Sequence, residues 1–67
     1  MSKNLFLKEL IFRRGYRQYE VARMAGIPEN ILSRYIIGAR DLSDDRKQKL
    51  AEVLGVAKED IIRGESI

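Results

Sequence analysis

The chain has 67 residues and a formal charge of +3, so a single small domain over residues 1–67 with one modest core is what it can build. It contains no Cys and no His, which excludes disulfide staples, thiol or imidazole catalysis and the usual zinc sites. The charge is uneven: residues 1–40 hold eight basic and three acidic side chains, and residues 41–67 hold five and seven, an asymmetry suited to a polyanionic partner or to solubility alone.

The apolar stretch Leu5-Phe6-Leu7 is followed at once by Lys8-Glu9, too short and too interrupted for a membrane span or a leader, so the cytoplasm is the expected compartment. A first helix is predicted from Ser2, as its cap, to Arg14, before Gly15. Leu7, Leu10 and Ile11 form its core stripe, with Phe6 at the margin. Leu5 and Phe12 fall on the opposite side. Either the last helix covers them or they meet a second protein, and cover within the chain is the expectation because small bundles fold their last helix against their first.

A second helix fits Gln18 to Ala25, with Val21, Ala22 and Ala25 inward and Gly26 as terminator. A third follows the connection Gly26-Ile27-Pro28 and runs from about Glu29 to Ile37, with Leu32, Tyr35 and Ile36 inward and Gly38 as its stop. Ser43 followed by Asp44 and Asp45 reads as the cap and acidic first turn of a fourth helix. Its first half, Arg46 to Lys49, is wholly polar, and Leu50, Val53 and Leu54 face inward before Gly55. A fifth short helix, Lys58 to Arg63, carries Ile61 and Ile62 and is predicted to stop at Gly64. The fold class is therefore all-α, a compact bundle of about five short helices.

Two short helices joined by a tight turn with Gly, the second one polar on its outer face, are what a helix-turn-helix needs to enter a major groove about 12 Å wide. On a helical wheel Asn30, Ser33, Arg34 and Ile37 share one arc of roughly 100° opposite Leu32 and Ile36. Glu29 sits at its border. An arginine on this face can pair with guanine O6 and N7, and an asparagine with adenine N6 and N7. A carboxylate in the first turn also complements the helix dipole without any partner. Arg17, Arg23 and Arg40 flank the motif and suit phosphate contacts that carry no sequence information.

The stretch Gln18-x-x-Val21-Ala22-x-x-Ala25-Gly26-Ile27, then Leu32-Ser33-Arg34-Tyr35-x-x-Gly38-x-Arg40, and later Leu50-Ala51-x-x-Leu54-Gly55-Val56, resembles the helix-turn-helix domain of the lambda repressor and Cro-like family. The run Val21 to Gly38 is also similar to the headpiece of the lac-type repressors, which begin almost at the motif; a full helix precedes it here, favouring the phage-repressor type. The resemblance implies double-stranded DNA as partner, Gln18 on a phosphate, and Glu29, Asn30 and Arg34 toward the groove. It also implies a symmetric dimer, at least on DNA, on half-sites about one helical turn apart. Helix 5 and the tail to Ile67 are the candidate contact.

Three positions depart from the family pattern. Arg17 and Pro28 stand where Ser or Thr caps are usual, and Pro28 is expected at the first helical position instead. Ile11 and Ile36 replace a frequent Arg and Glu pair, which predicts an apolar contact between helices 1 and 3. Ile37 stands where a polar residue commonly reaches phosphate. The rival reading is a protein-binding adaptor or antirepressor on the same fold, with Leu5, Phe12, Ile37 and Ile67 as apolar anchors. No catalytic site is indicated, because the pairs Asp44/Asp45 and Glu59/Asp60 sit at predicted helix starts, without a nucleophile, base or phosphate loop beside them. No cofactor, metal or small-molecule ligand is expected.

Overall fold

The computed structural model describes residues 4–65. It contains five α-helices, α1 (Leu5–Arg13), α2 (Gln18–Ala25), α3 (Glu29–Ile36), α4 (Asp44–Leu54) and α5 (Lys58–Gly64), and no strand among the described residues. The all-α bundle expected from the helical periodicity is thus the observed one. The inward stripe of each helix supplies one part of a shared core: Leu7 and Ile11 from α1, Val21 and Ala22 from α2, Leu32, Tyr35 and Ile36 from α3, Leu50, Ala51 and Leu54 from α4, and Ile61 from α5. Helix α2 packs on α3 and α4, while α5 closes the other side against α4 and α1. The outline is nearly isometric, 24 × 21 × 21 Å.

Glycine positions set the helix ends because one hydrogen-bond closure recurs. The N–H groups of Tyr16, Ile27, Ala39 and Val56 donate to the carbonyls five residues back, those of Ile11, Ala22, Arg34 and Ala51, at 3.2, 2.9, 2.9 and 3.0 Å. Such a closure turns the chain through a left-handed residue. Gly26 fills that role between α2 and α3 with φ 70°, where a side chain on Cβ would be strained.

Five expectations are corrected. Ser2 lies outside the described residues, and the cap of α1 is Asn4, whose Oδ1 accepts the Leu7 N–H at 3.0 Å. The reason is tertiary: Asn4 is fully buried, its Nδ2 donates to the Ile61 carbonyl at 3.1 Å and the Tyr35 hydroxyl at 3.3 Å, and its N–H donates to the Ile36 carbonyl at 2.8 Å. Helix α5 does not cover Leu5 and Phe12, which remain 55% and 80% exposed. It packs instead on the Asn4 and Phe6 side of α1, where Gly64 is needed. A Cβ on Gly64 would lie 2.5 Å from Asn4 Oδ1 and 2.9 Å from Phe6 Cβ, so this glycine is the last residue of α5 and a close-approach position rather than a stop.

Pro28 is the N-cap of α3, with ψ 136°, and not its first helical residue, because its extended ψ carries the chain across the turn before the helix begins. Helix α3 closes at Ile36, and Ile37 is its C-cap. The predicted contact of helices 1 and 3 is present, and Ile11 and Ile36 are both buried.

The polar first half of α4 holds one buried charge. Lys47 is only 6% exposed. Its Nζ lies 2.8 Å from Glu65 Oε1 and 3.2 Å from Asp41 Oδ1, and 5.7 Å from the centre of the Tyr35 ring. The Tyr35 hydroxyl donates to the same Glu65 Oε1. Asn4, Tyr35, Asp41, Lys47 and Glu65 therefore form one polar cluster, and no buried side-chain nitrogen or oxygen among the described residues is left without a hydrogen bond. A buried ammonium is tolerated only in such company.

Candidate nucleic-acid interface

The short crossing of α2 and α3 depends on small residues. Ala22 and Ala25 are buried on the inner face of α2, and the left-handed backbone of Gly26, at φ 70°, turns the chain into the connection to α3. This leaves one face of α3 outside the core. Asn30 and Arg34 are exposed there and Ser33 is half-buried, with Glu29 exposed at the first turn. The exposed polar arc drawn from the sequence is the one the packing leaves free.

Around it stand the flanking cations. Arg17 caps α2 from an extended backbone with no side-chain bond to the helix, and the Glu20 carboxylate reaches back to its N–H at 2.7 Å. Gln18, half-buried, opens α2 and lines a shallow hollow of about 180 Å³ with Lys8, Ile11, Phe12 and Tyr16. The Arg23 guanidinium lies over the Tyr19 ring, 5.8 Å from its centre. Both residues line a second hollow of about 390 Å³ with Ala22, Ile27 and Glu29. Arg40 is exposed just beyond the Gly38 turn. The structure thus joins Arg23 to Glu29 across one hollow and sets Gln18 on another.

Ion pairing separates these cations from Arg13, Lys47 and Arg63, while Lys8, Arg46, Lys49 and Lys58 make no ion pair among the described residues either. Among the described residues Arg17, Arg23, Arg34 and Arg40 have no acidic partner within 4.0 Å, whereas Arg13 pairs with Glu9 at 2.7 Å and Arg63 with Asp60 at 3.6 Å. Arg14 donates from Nε to the Leu54 carbonyl at 3.0 Å and closes the end of α4. Unpaired guanidinium groups are free to meet an external anion without first breaking an internal bond.

Tyr19 was not singled out from the sequence. Its signal was available, since Tyr19 and Arg23 are four residues apart on α2 and so share a face. The stack holds a long side chain in one orientation and so lowers the entropy it would lose on meeting any partner.

Among the described residues the shifted ionisations belong to the polar cluster behind α3. Burial and the bond to Glu65 push the Tyr35 hydroxyl well above the ordinary phenol range. Burial alone would lower Lys47, but Glu65 and Asp41 more than offset it and hold its ammonium above the usual value. The Leu42 N–H, donating at 2.8 Å, and Lys47 lower the Asp41 carboxyl. No group of three or more acidic, His or Cys side chains suited to a metal ion forms among the described residues, and no helix there is long and apolar enough to cross a membrane.

Two short helices crossing on small residues, with the second exposed along a polar arc, define a helix-turn-helix module. A family model described as helix-turn-helix matches residues 7–61, and the chain belongs to the lambda repressor and Cro-like helix-turn-helix family, a family of DNA-binding regulatory domains. Neither the curated proteins nor the solved structures return a significant match.

Proposed function

We propose that the chain is a sequence-specific binder of double-stranded DNA and a small transcriptional regulator of the phage-repressor or Cro type, with α3 laid in the major groove. The observation that carries this reading is the set of unpaired cations around the polar arc of α3: Arg34 on it, Arg17 and Arg23 on α2, and Arg40 beyond it. An α-helix with its side chains is about 10–12 Å across, which suits the width of the groove. Arg34 reads guanine and Asn30 reads adenine, with Ser33 between them. Glu29, at the edge of the arc, mainly complements the helix dipole and touches a base only at the groove wall. Gln18, Arg17, Arg23 and Arg40 hold phosphates and fix the docking angle.

Ile37 departs from this plan. It is 55% exposed at the end of α3 and offers no hydrogen bond to a phosphate, so it packs on a sugar or on a second protein. The chain acts as one domain and as a symmetric dimer at least on DNA, in the cytoplasm. Selection of bound duplexes from a random pool tests the proposal, because it returns the site, its symmetry and the working oligomer together. A palindromic consensus is expected; recovery of unenriched sequence would contradict sequence-specific readout.

A second reading has one observation in its favour. Leu5 and Phe12 are exposed on a face of α1 that α5 leaves bare, which is the surface an adaptor or antirepressor would use. Salt separates the two readings, since phosphate contacts weaken steeply with ionic strength and an apolar contact does not.

A further inference from the structure

We propose that Tyr35 is a positioning residue for base readout: held from inside by Glu65, with Lys47 and Asn4 beside it, its hydroxyl fixes the rotation of α3 about its own axis. This role rests on the DNA-binding reading above.

The inner face of α3 is otherwise apolar. Leu32 and Ile36 are buried, and apolar burial by itself sets no hydrogen-bond geometry. The Asn4 N–H to Ile36 carbonyl bond at 2.8 Å pins the last residue of the helix, and among the described residues the directional side-chain bonds of its inner face come from Tyr35. A hydrogen bond is directional and weakens quickly away from its preferred geometry. Tyr35 supplies two, donating to Glu65 Oε1 and accepting from Asn4 Nδ2 at 3.3 Å. Glu65 is itself fixed by the Lys47 ammonium at 2.8 Å, and Lys47 by Asp41 at 3.2 Å. The cluster therefore ties α3 to the cap of α1, to α4 and to the end of α5.

The lever is short and steep. Side-chain tips lie roughly 5–6 Å from a helix axis, so a rotation of about 10° moves the polar arc by about 1 Å. That exceeds the spread of donor–acceptor distances over which a hydrogen bond stays strong. Base contacts are lost by such a shift, whereas flexible cations still reach phosphates. Rotational freedom in α3 would thus lower site preference and leave general DNA affinity in place.

The test compares Tyr35→Phe, Glu65→Leu and Glu65→Gln with the wild-type chain, at a temperature where all are fully folded by circular dichroism. Binding is measured to a selected duplex and to a mixed-sequence duplex. Tyr35→Phe and Glu65→Leu should lower the ratio of the two affinities roughly tenfold, with mixed-duplex binding unchanged, while Glu65→Gln keeps an acceptor oxygen and most of the preference. In the free protein the amide resonances of Glu29–Ile36 should shift in Tyr35→Phe and Glu65→Leu while those of α2 stay in place. Site preference at the wild-type level in both variants, or unshifted α3 resonances, would overturn the role of Tyr35 alone. A wild-type chain with no site preference would remove the DNA reading itself, and this role with it.

Discussion

Asn4 joins the start of α1 to α3 and α5 through one fully buried side chain. Ser2 and Asn4 are both capping residues, and local chemistry does not choose between them. The choice is made by Tyr35 and Ile61, 31 and 57 residues away, whose oxygens take the Asn4 amide. Lys47 is hidden in a similar way. It shares the inward face with Leu50, Ala51 and Leu54, but a lysine in a polar run gives no sign that Asp41 and Glu65 wait to pair with it. Gly64 carries the plainest stability prediction: Gly64→Ala should cost about 1–3 kcal/mol by crowding Asn4 and Phe6, measured by denaturant unfolding. On the interface, Arg34→Ala should change which sequences are preferred, with about 1–3 kcal/mol lost at one base pair. Arg40→Ala should weaken all duplexes alike and lower the salt slope by about one. Equal effects of the two changes on selected and mixed DNA would remove Arg34 from base readout.

At the scale of the helices, most boundaries were legible. Gly15, Gly26, Gly38 and Gly55 all take positive φ just after helices, and the Ser43 hydroxyl accepts the Arg46 N–H at 3.3 Å as expected of a cap. The polar arc of α3 was legible for the same reason, since the residues left over from its core stripe are its outer face. The missing caps give a prediction in which stability and binding move in opposite directions. Arg17 sits in an extended cap conformation, and Glu20 already reaches back to its N–H. Arg17→Ser should complete a capping box with Glu20 and raise stability by about 0.5–1 kcal/mol. The same change removes the phosphate contact proposed for Arg17, so it should weaken binding to every duplex. Thermal unfolding and a binding titration on the same sample check both signs.

Across the whole molecule the buried polar cluster and the surface charge serve different ends. Folding raises the proton affinity of both Lys47 and Tyr35. The folded chain therefore keeps two protons that the unfolded chain releases above about pH 10. Their stabilisation is complete below that pH and is lost as pH rises through the folded values. In urea unfolding followed from pH 8 to 11, the wild-type midpoint should fall in the upper part of the range, and the Tyr35→Phe, Lys47→Met double variant should show a flatter alkaline limb. On the surface, Leu5, Phe12 and Ile37 mark where general chain properties gave no account of cover, because apolar periodicity does not say which side α5 chooses. The central claim is that α3 and its flanking arginines meet a duplex, and a salt titration of binding to one selected and one mixed-sequence duplex tests it most directly. The predicted result is affinity for both duplexes that falls steeply with salt, with the selected site remaining tighter at every salt concentration. Binding to neither duplex at low ionic strength, or binding insensitive to salt, would contradict it.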